Sequence, residues 1–528
     1  MVHDLIRLTK GGYTMSCLIA VILLGSAATG ADLSTDFTLS LPPGTFIGTG
    51  SEAAAGPTFH SKSPLVATSY FYWYDALSKA HVVNYDGTDA LTDHPPTLEG
   101  FSYKSVDWHV KQLHDMMAAG IDVLLPVYWG TPLGDQPWSD EGLPKLVAAR
   151  ERLLGEGKKP PAIGMFYDTS TLQYNGGGFH IDLSTPAGRL WFYGTIRNFW
   201  SQIPPKHRAK IDGKPLVFLY ASAFASRVDE HLFPAVRTMF RRDFGTDLFL
   251  VKMLGWPGQA DSEYQWGGAL APQFLDTAGL GPGYDHSAVP GRTPLVRKRE
   301  DGRFYQRAWQ RLLVKDPQSR PWLVHVETWD EFHEGTDVCQ SREYGRQYID
   351  LTRKFADQFH SRLKLDRSVL RPVRPVATVS PERSEGLSLV VPHDGDGPVV
   401  EKTVQGRRAW STMQNKHSTT SRYLYFDVAD DFLYDTDEPV EVTVSYLDAG
   451  PAEFRVEYDS SDPKLEGLLQ RFRPGPIQPI EGTGQWKEAR FTLPHARFAG
   501  RSNGADFRLA AGGRDLVICR VIVRLLEK

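Results

Sequence analysis

Four carboxylates fall within eight residues at Glu327, Asp330, Glu331 and Glu334. Trp329, Phe332 and His333 lie among them. Such a segment repels itself unless its charges are paired, used or partly protonated. Paired carboxylates serve glycosidic bond cleavage, one giving a proton to the leaving oxygen and the other acting as base or nucleophile. Glu331 and Glu334 are the candidate catalytic pair. Their backbones, three residues apart, are separated by at most roughly 10 Å, which fits either stereochemical outcome.

The elements that position this segment follow from periodicity. The apolar run Trp322-Leu323-Val324-His325-Val326 precedes it, and a helical pattern follows from about Glu343. The same alternation fills the preceding 250 or so residues. Strands are expected at 65–70, 121–127, 162–166, 216–219 and 248–253, with a sixth at Gly268-Ala269-Leu270-Ala271-Pro272. Amphipathic stretches near 106–117, 143–154, 187–203, 227–244 and 304–313 separate most of them. This predicts an α/β fold, a (β/α)8 TIM barrel over 64–366, with its active site at the strand ends. Tyr70, Trp73, Tyr128, Trp129, Asp168, Trp256 and Trp329 fall at or just after those ends. Together with His333 they are candidate substrate-binding residues, since aromatic faces stack on sugar rings. Of the 13 tryptophans, 11 lie between Trp73 and Trp329, which concentrates stacking surface in this region.

Beyond a Pro-rich linker at 367–379, short alternating runs without helical periodicity predict an antiparallel β-sandwich over 380–528. A carbohydrate-binding role and a purely packing role are both open for it. Asp394-Gly395-Asp396-Gly397 reads as a turn, because it lacks full calcium-loop spacing. At the other end, Lys10, the apolar run 17–24 and the small residues 26–31 read as an export signal over 1–31. A tail over 32–63 follows. The product is expected to be secreted or periplasmic and monomeric, with no membrane association after cleavage.

The net charge of -4 gives no bulk attraction to nucleic acid or anionic membranes. Arg241-Arg242 and Arg297-Lys298-Arg299 read as short solvated faces. No Gly-x-Gly-x-x-Gly follows the first strand, and no His-Glu-x-x-His or cysteine cluster suggests a metal, so no cofactor is expected. Cys339 and Cys519 read as free thiols.

The segment Trp329-Asp330-Glu331-Phe332-His333-Glu334-Gly335-Thr336, with Glu343-Tyr344-Gly345, resembles the Trp-Asn-Glu-Trp-His-Glu-Gly-Thr motif of glycoside hydrolase family 99. Ser69-Tyr70-Phe71-Tyr72-Trp73-Tyr74, Ala118-Ala119-Gly120-Ile121-Asp122-Val123, Gly281-Pro282-Gly283-Tyr284-Asp285 and Asp301-Gly302-Arg303-Phe304-Tyr305 support the resemblance, which covers roughly 64–365. It implies a (β/α)8 barrel and retaining endo-α-mannosidase-like chemistry. Glu331 would be the base toward the sugar 2-hydroxyl, through an anhydro-sugar intermediate. Glu334 would be the general acid/base, and Tyr284 would lie near the reacting sugar. Asp330 stands where the family has Asn, and Phe332 where it has Trp. Related patterns occur in family 71 α-1,3-glucanases and in proteins of polysaccharide synthesis. The expected function is therefore hydrolysis of an α-linked glycan, with the sugar open. The alternatives are a non-catalytic carbohydrate-binding protein on a degenerate barrel, or a glycan-synthesis protein.

Overall fold

The computed structural model describes residues 44, 46–48, 55–292, 295–370, 376–392, 395–430, 432–436, 438–462 and 464–526. The segment read as an export signal lies outside them, as do most of 32–54 and the linker residues 371–375. The chain divides into two compact units, with the break between Asp366 and Arg367.

The first unit is mixed α/β, and its sheet is built on eight parallel strands. They are β1 (Leu65–Tyr70), β2 (Val123–Tyr128), β3 (Met165–Tyr167), β4 (Lys214–Leu219), β5 (Phe249–Met253), β6 (Ser262–Tyr264), β7 (Thr277–Leu280) and β8 (Leu323–Thr328). The spatial order is β6-β5-β4-β3-β2-β1-β8-β7, parallel at every step. At the two ends of this order, Ser262 Oγ of β6 lies 2.9 Å from Thr277 Oγ1 of β7.

Among the described residues of this unit the α-helices are α1 (Val106–Ala119), α2 (Pro137–Gly155), α3 (Pro186–Gln202), α4 (Leu232–Phe244), α5 (Arg303–Leu313) and α6 (Gln347–His360). Their ends are written locally. The Ser105 side chain accepts the Trp108 N–H at the start of α1, and Gly120 closes it at φ 78°, a left-handed conformation that glycine adopts without strain. Strict alternation fails twice. Gly255, Pro257 and Gly258 keep the β5–β6 connection from becoming a helix. The expected sixth strand at 268–272 is a correction: the sixth strand lies earlier, at Ser262–Tyr264, and 268–272 is a loop. Its backbone N–H groups are used by a side chain instead of a ladder.

The inner face of the sheet is organised around His325 of β8. Its ring touches Phe166 of β3 (6.1 Å), Phe218 of β4 (5.1 Å) and Tyr264 of β6 (5.6 Å). Its Nε2 lies 2.8 Å from Ser69 Oγ of β1. Contacts reaching that many strands require a strongly curved sheet. Side chains alternate along a strand, so Glu327 follows His325 on the inner face.

The second unit consists of two antiparallel sheets, of seven and five strands, whose inward residues form one core. Val440, Val442, Val444 and Tyr446 turn inward at alternate positions and join Phe491, Leu493, Val521 and Val523. Asp396 hydrogen bonds with the Tyr425 hydroxyl and the Asn415 amide. Among the described residues no helix is long and apolar enough to cross a membrane.

Candidate active site

The acidic segment leaves β8 as a pinched loop. Thr328 Oγ1 donates to the Thr336 carbonyl at 2.8 Å, and Val338 and Cys339 N–H both donate to the Trp329 carbonyl at 2.9 Å. From one side, Thr92 and Asp93 N–H donate to the Phe332 carbonyl at 2.9 and 3.2 Å. From the other, Arg299 donates to the carbonyls of Gly335 (3.0 Å) and Asp337 (2.8 Å) and pairs with Asp93 (2.8 Å) and Asp337 (2.7 Å). Its guanidinium also faces the rings of Tyr344 and Tyr348 at 4.3 and 4.7 Å. Arg299 is therefore buried, which corrects the expectation that this basic run is solvated.

The two candidate catalytic carboxylates are both buried but differently held. Glu331 Oε1 accepts the His333 backbone N–H at 3.1 Å and lies 2.9 Å from His333 Nδ1. Glu331 Oε2 is buried with no hydrogen-bond partner. His333 Nε2 lies 2.8 Å from the His81 carbonyl. Both ring nitrogens thus face acceptors, which only the imidazolium satisfies in full. Burial opposes that charge, but the Glu331 carboxylate and the His81 carbonyl outweigh it, and the His333 pKa is raised.

Glu334 Oε1 pairs with Arg292 Nη1 at 2.7 Å, and its backbone carbonyl accepts the Asp285 N–H at 2.8 Å. Its pKa is raised, first by burial and then by the Glu331 charge, while Arg292 and the Tyr284 hydroxyl pull it back. The Tyr284 hydroxyl also lies 2.9 Å from His286 Nδ1. This set places a carboxylate bonded to His333 beside one whose pKa is raised, an arrangement that acid/base chemistry at a sugar can use.

Two further acids support the loop. Among the described residues Glu327 has no basic partner: it accepts the N–H groups of Gly267, Gly268 (2.8 Å) and Ala269 (2.8 Å) in succession. Burial pushes its pKa up to about 7 against those bonds, helped by the Glu334 charge. Asp330 Oδ1 accepts the Phe71 N–H at 2.8 Å, tying the loop to the end of β1, while Oδ2 has no partner. Burial raises its pKa well above the carboxylate range, and Glu331 adds to that.

The expected substrate-binding residues separate into two groups. Trp73 lies edge-on to His333 at 5.4 Å and to Trp129 at 5.7 Å, beside the candidate catalytic pair. Asp168 caps the short helical turn 169–172 through Ser170 N–H (3.0 Å), and burial raises its pKa while Ser170 pulls it back. Tyr284 joins Glu334. The remaining four turn away. Tyr70 pairs with His109 of α1 (2.8 Å), Tyr128 with Asp140 of α2 (2.7 Å) and Trp329 with Gln112 of α1 (2.7 Å). Trp256 packs between Phe192 of α3 (5.7 Å) and Phe233 of α4 (6.1 Å). Alternation explains Tyr70: Ser69 points inward to His325, so the next side chain points outward.

Several residues of the site had no signal in the sequence. His81 stacks on Trp73 at 4.6 Å and 5°, and its backbone, at φ 58°, presents the carbonyl to His333. Trp138 adds a ring 6.2 Å from both Trp73 and Trp129. Arg292 lies in a Pro-Gly turn of unremarkable composition. Among the described residues, no group of three or more His, Cys, Asp or Glu side chains is placed to hold a metal ion.

Comparison with solved structures returns a GH99 endo-alpha-mannosidase from Bacteriodes thetaiotaomicron at 16% identity, covering 57% of this chain and 99% of that one, with a TM-score of 0.42. It also returns the CBM22-1 xylan-binding domain of Paenibacillus barcinonensis Xyn10C at 12% identity, covering 29% and 94%, with a TM-score of 0.19. The C-terminal CBM6 of LamC from Zobellia galactanivorans matches at 8% identity, covering 28% and 98%, with a TM-score of 0.17. No curated protein matches. The sequence family described as "Domain of unknown function (DUF5010)" matches residues 50–368, and the chain belongs to that family.

Proposed function

We propose that the first unit is a retaining glycoside hydrolase acting on an α-linked glycan, on a closed (β/α)8 barrel spanning 64–366. The observation that carries this reading is the inequality of the two Glu331 oxygens. Oε1 is held by His333 while Oε2 is buried and unused, beside a Glu334 whose pKa is raised by burial and by the Glu331 charge. The Ser262–Thr277 contact and the reach of His325 across the sheet support closure. The match of Trp329–Thr336 to the family 99 motif supports the chemistry.

In this reading Glu331 Oε2 takes the proton of the sugar 2-hydroxyl. The O2–C1 bond forms as the C1–leaving-oxygen bond breaks, and Glu334 protonates the leaving oxygen. Water then opens the anhydro-sugar at C1, giving its proton to Glu334, while Glu331 returns its proton to O2. Two displacements at C1 give retention. His333 fixes the Glu331 carboxylate through Oε1, and Trp73 offers ring surface to the sugar. The second unit, read as a β-sandwich over 380–528, is a glycan-binding appendage, and residues 1–31 direct export.

The Arg292–Glu334 ion pair favours a second reading, because an ion-paired acid is a poor proton donor. On that reading the site binds glycans without turnover. The deciding experiment incubates the purified protein with α-mannans and α-glucans and follows the product anomer by NMR. Retained configuration, with a loss of roughly 10²–10⁴-fold in kcat for Glu334→Gln and binding preserved, supports hydrolysis. An inverted anomer, or full activity in the variant, overturns the assignment.

A further inference from the structure

The second unit carries a cleft of about 710 Å³ on the outer face of its seven-stranded sheet. Its floor crosses three antiparallel strands, with Glu488 opposite Ser445 and Ser445 opposite Arg520. These side chains face outward because their neighbours Val444, Ala489 and Val521 fill the core. The hairpin around Gln405 arches over the sheet, and Gln405 Nε2 donates to the Gly484 carbonyl at 2.8 Å. That contact brings the Arg407 guanidinium over the Trp486 ring, 5.5 Å from its centre.

Most cations lining the cleft are already neutralised. Arg520 pairs with Glu488 at 3.1 Å, Lys487 with Asp448 and Glu481 at 2.8 and 2.6 Å, and Arg408 with Glu401. Arg407 is exposed and has no carboxylate partner among the described residues, and Trp486 Nε1 is buried without an acceptor. The Arg407 guanidinium, which also meets the Cys519 thiol, thus borders the cleft without a counter-charge, beside the unsatisfied Trp486 N–H. Arg407 covers the Trp486 face, so that ring is not offered to a neutral sugar for stacking. What the site lacks is an acceptor, and a guanidinium takes a planar oxyanion through two parallel bonds. Stacking on the indole fixes the guanidinium in place beforehand.

We propose that this cleft binds an acidic saccharide, whose carboxylate or sulfate is received by Arg407 and the Trp486 N–H. Ser445, Glu488 and Arg520 meet the neighbouring hydroxyls. The oxyanion rests on the cleft alone; its saccharide carrier rests on the glycan reading of the first unit.

The test titrates full-length Glu334→Gln protein by calorimetry with oligogalacturonate, a chondroitin sulfate oligosaccharide, a neutral manno-oligosaccharide and a DNA dodecamer. Binding of an acidic saccharide that falls with salt, and that weakens about tenfold or more in Arg407→Ala and in Trp486→Phe, is the expected result; a charge-assisted hydrogen bond is worth that much. The galacturonate and chondroitin arms distinguish carboxylate from sulfate. Equal affinity for neutral and acidic sugars, equal affinity for DNA, acidic-sugar binding that neither variant changes, or no binding overturns the proposal. Unchanged melting of both variants excludes misfolding as the cause. A wild-type protein that binds acidic saccharides at this cleft yet hydrolyses no α-glycan overturns the hydrolase reading alone.

Discussion

His333 Nδ1 lies 2.9 Å from Glu331 Oε1, two residues away, and the far side of the same ring is 2.8 Å from the His81 carbonyl, 252 residues away. The first contact selects which Glu331 oxygen remains free. The second orients the ring and raises the demand for a proton on both nitrogens.

The His333 arrangement makes stability depend on pH in a stated direction. The folded pKa of His333 is raised, so its contribution is fully present below the unfolded value of about 6.5 and is lost as pH climbs through the folded pKa. Thermal melts of wild type and His333→Gln between about pH 6 and 9 should diverge most at the acid end and converge at the alkaline end. Curves that stay parallel would sink the imidazolium assignment. The variant should also lose kcat more than it raises KM, because it acts through Glu331.

Arg292 electrostatically opposes the acid role proposed for Glu334. It is the cation that holds the Glu334 pKa below where burial and Glu331 alone would put it. Arg292→Gln keeps a donor and removes the charge, so Glu334 should hold its proton to higher pH. The alkaline limb of kcat/KM is then expected to move upward. An unmoved limb in an active variant would mean that Glu334 is not the group titrating there.

What could be read beforehand, and what could not, follows from distance along the chain. Strand periodicity in Leu323–Thr328 and the crowding of acids after it are local, and they located the loop whose carboxylates the structure brings together. Tyr70, Tyr128, Trp256 and Trp329 were placed at strand ends by the same local signal, but which side of the strand they face depends on register against neighbours. Arg299 lies in a run, Arg297-Lys298-Arg299, that has the composition of a surface. Its partners Asp93 and Asp337 lie 206 and 38 residues away, and no spacing announces that pairing. Gly268-Ala269-Leu270-Ala271-Pro272 has the apolar texture of a strand, whereas the backbone donors of Gly268 and Ala269 are committed to Glu327.

Asp330 occupies the position where the family 99 motif has Asn. Its Oδ1 is used by Phe71 N–H and its Oδ2 is buried without a partner. The folded pKa is raised, so the stabilising share of the protonated form is present below the unfolded value of about 3.9 and is lost as pH rises through the folded pKa. Asp330→Asn keeps the acceptor and never ionises. It should stabilise the protein by about 1–3 kcal/mol at neutral pH and by little at acid pH, measured by chemical denaturation at both. Destabilisation at neutral pH would show that the carboxylate is wanted in its charged form.

Arg299 gives the strongest structural prediction. One guanidinium serves Asp93 and Asp337, both buried, and also holds the carbonyls of Gly335 and Asp337 at the end of the acidic loop. Removing it leaves two acids facing each other without a cation, at a cost of about 3–5 kcal/mol. Arg299→Met should therefore lower Tm sharply and reduce activity with it. Adding Asp93→Asn and Asp337→Asn to that variant removes the uncompensated charges and should recover much of the stability. Activity should recover less, because the neutral triple variant no longer grips the Gly335 carbonyl beside Glu334. Recovery of stability and activity in equal measure would show that Arg299 neutralises charge without positioning the loop.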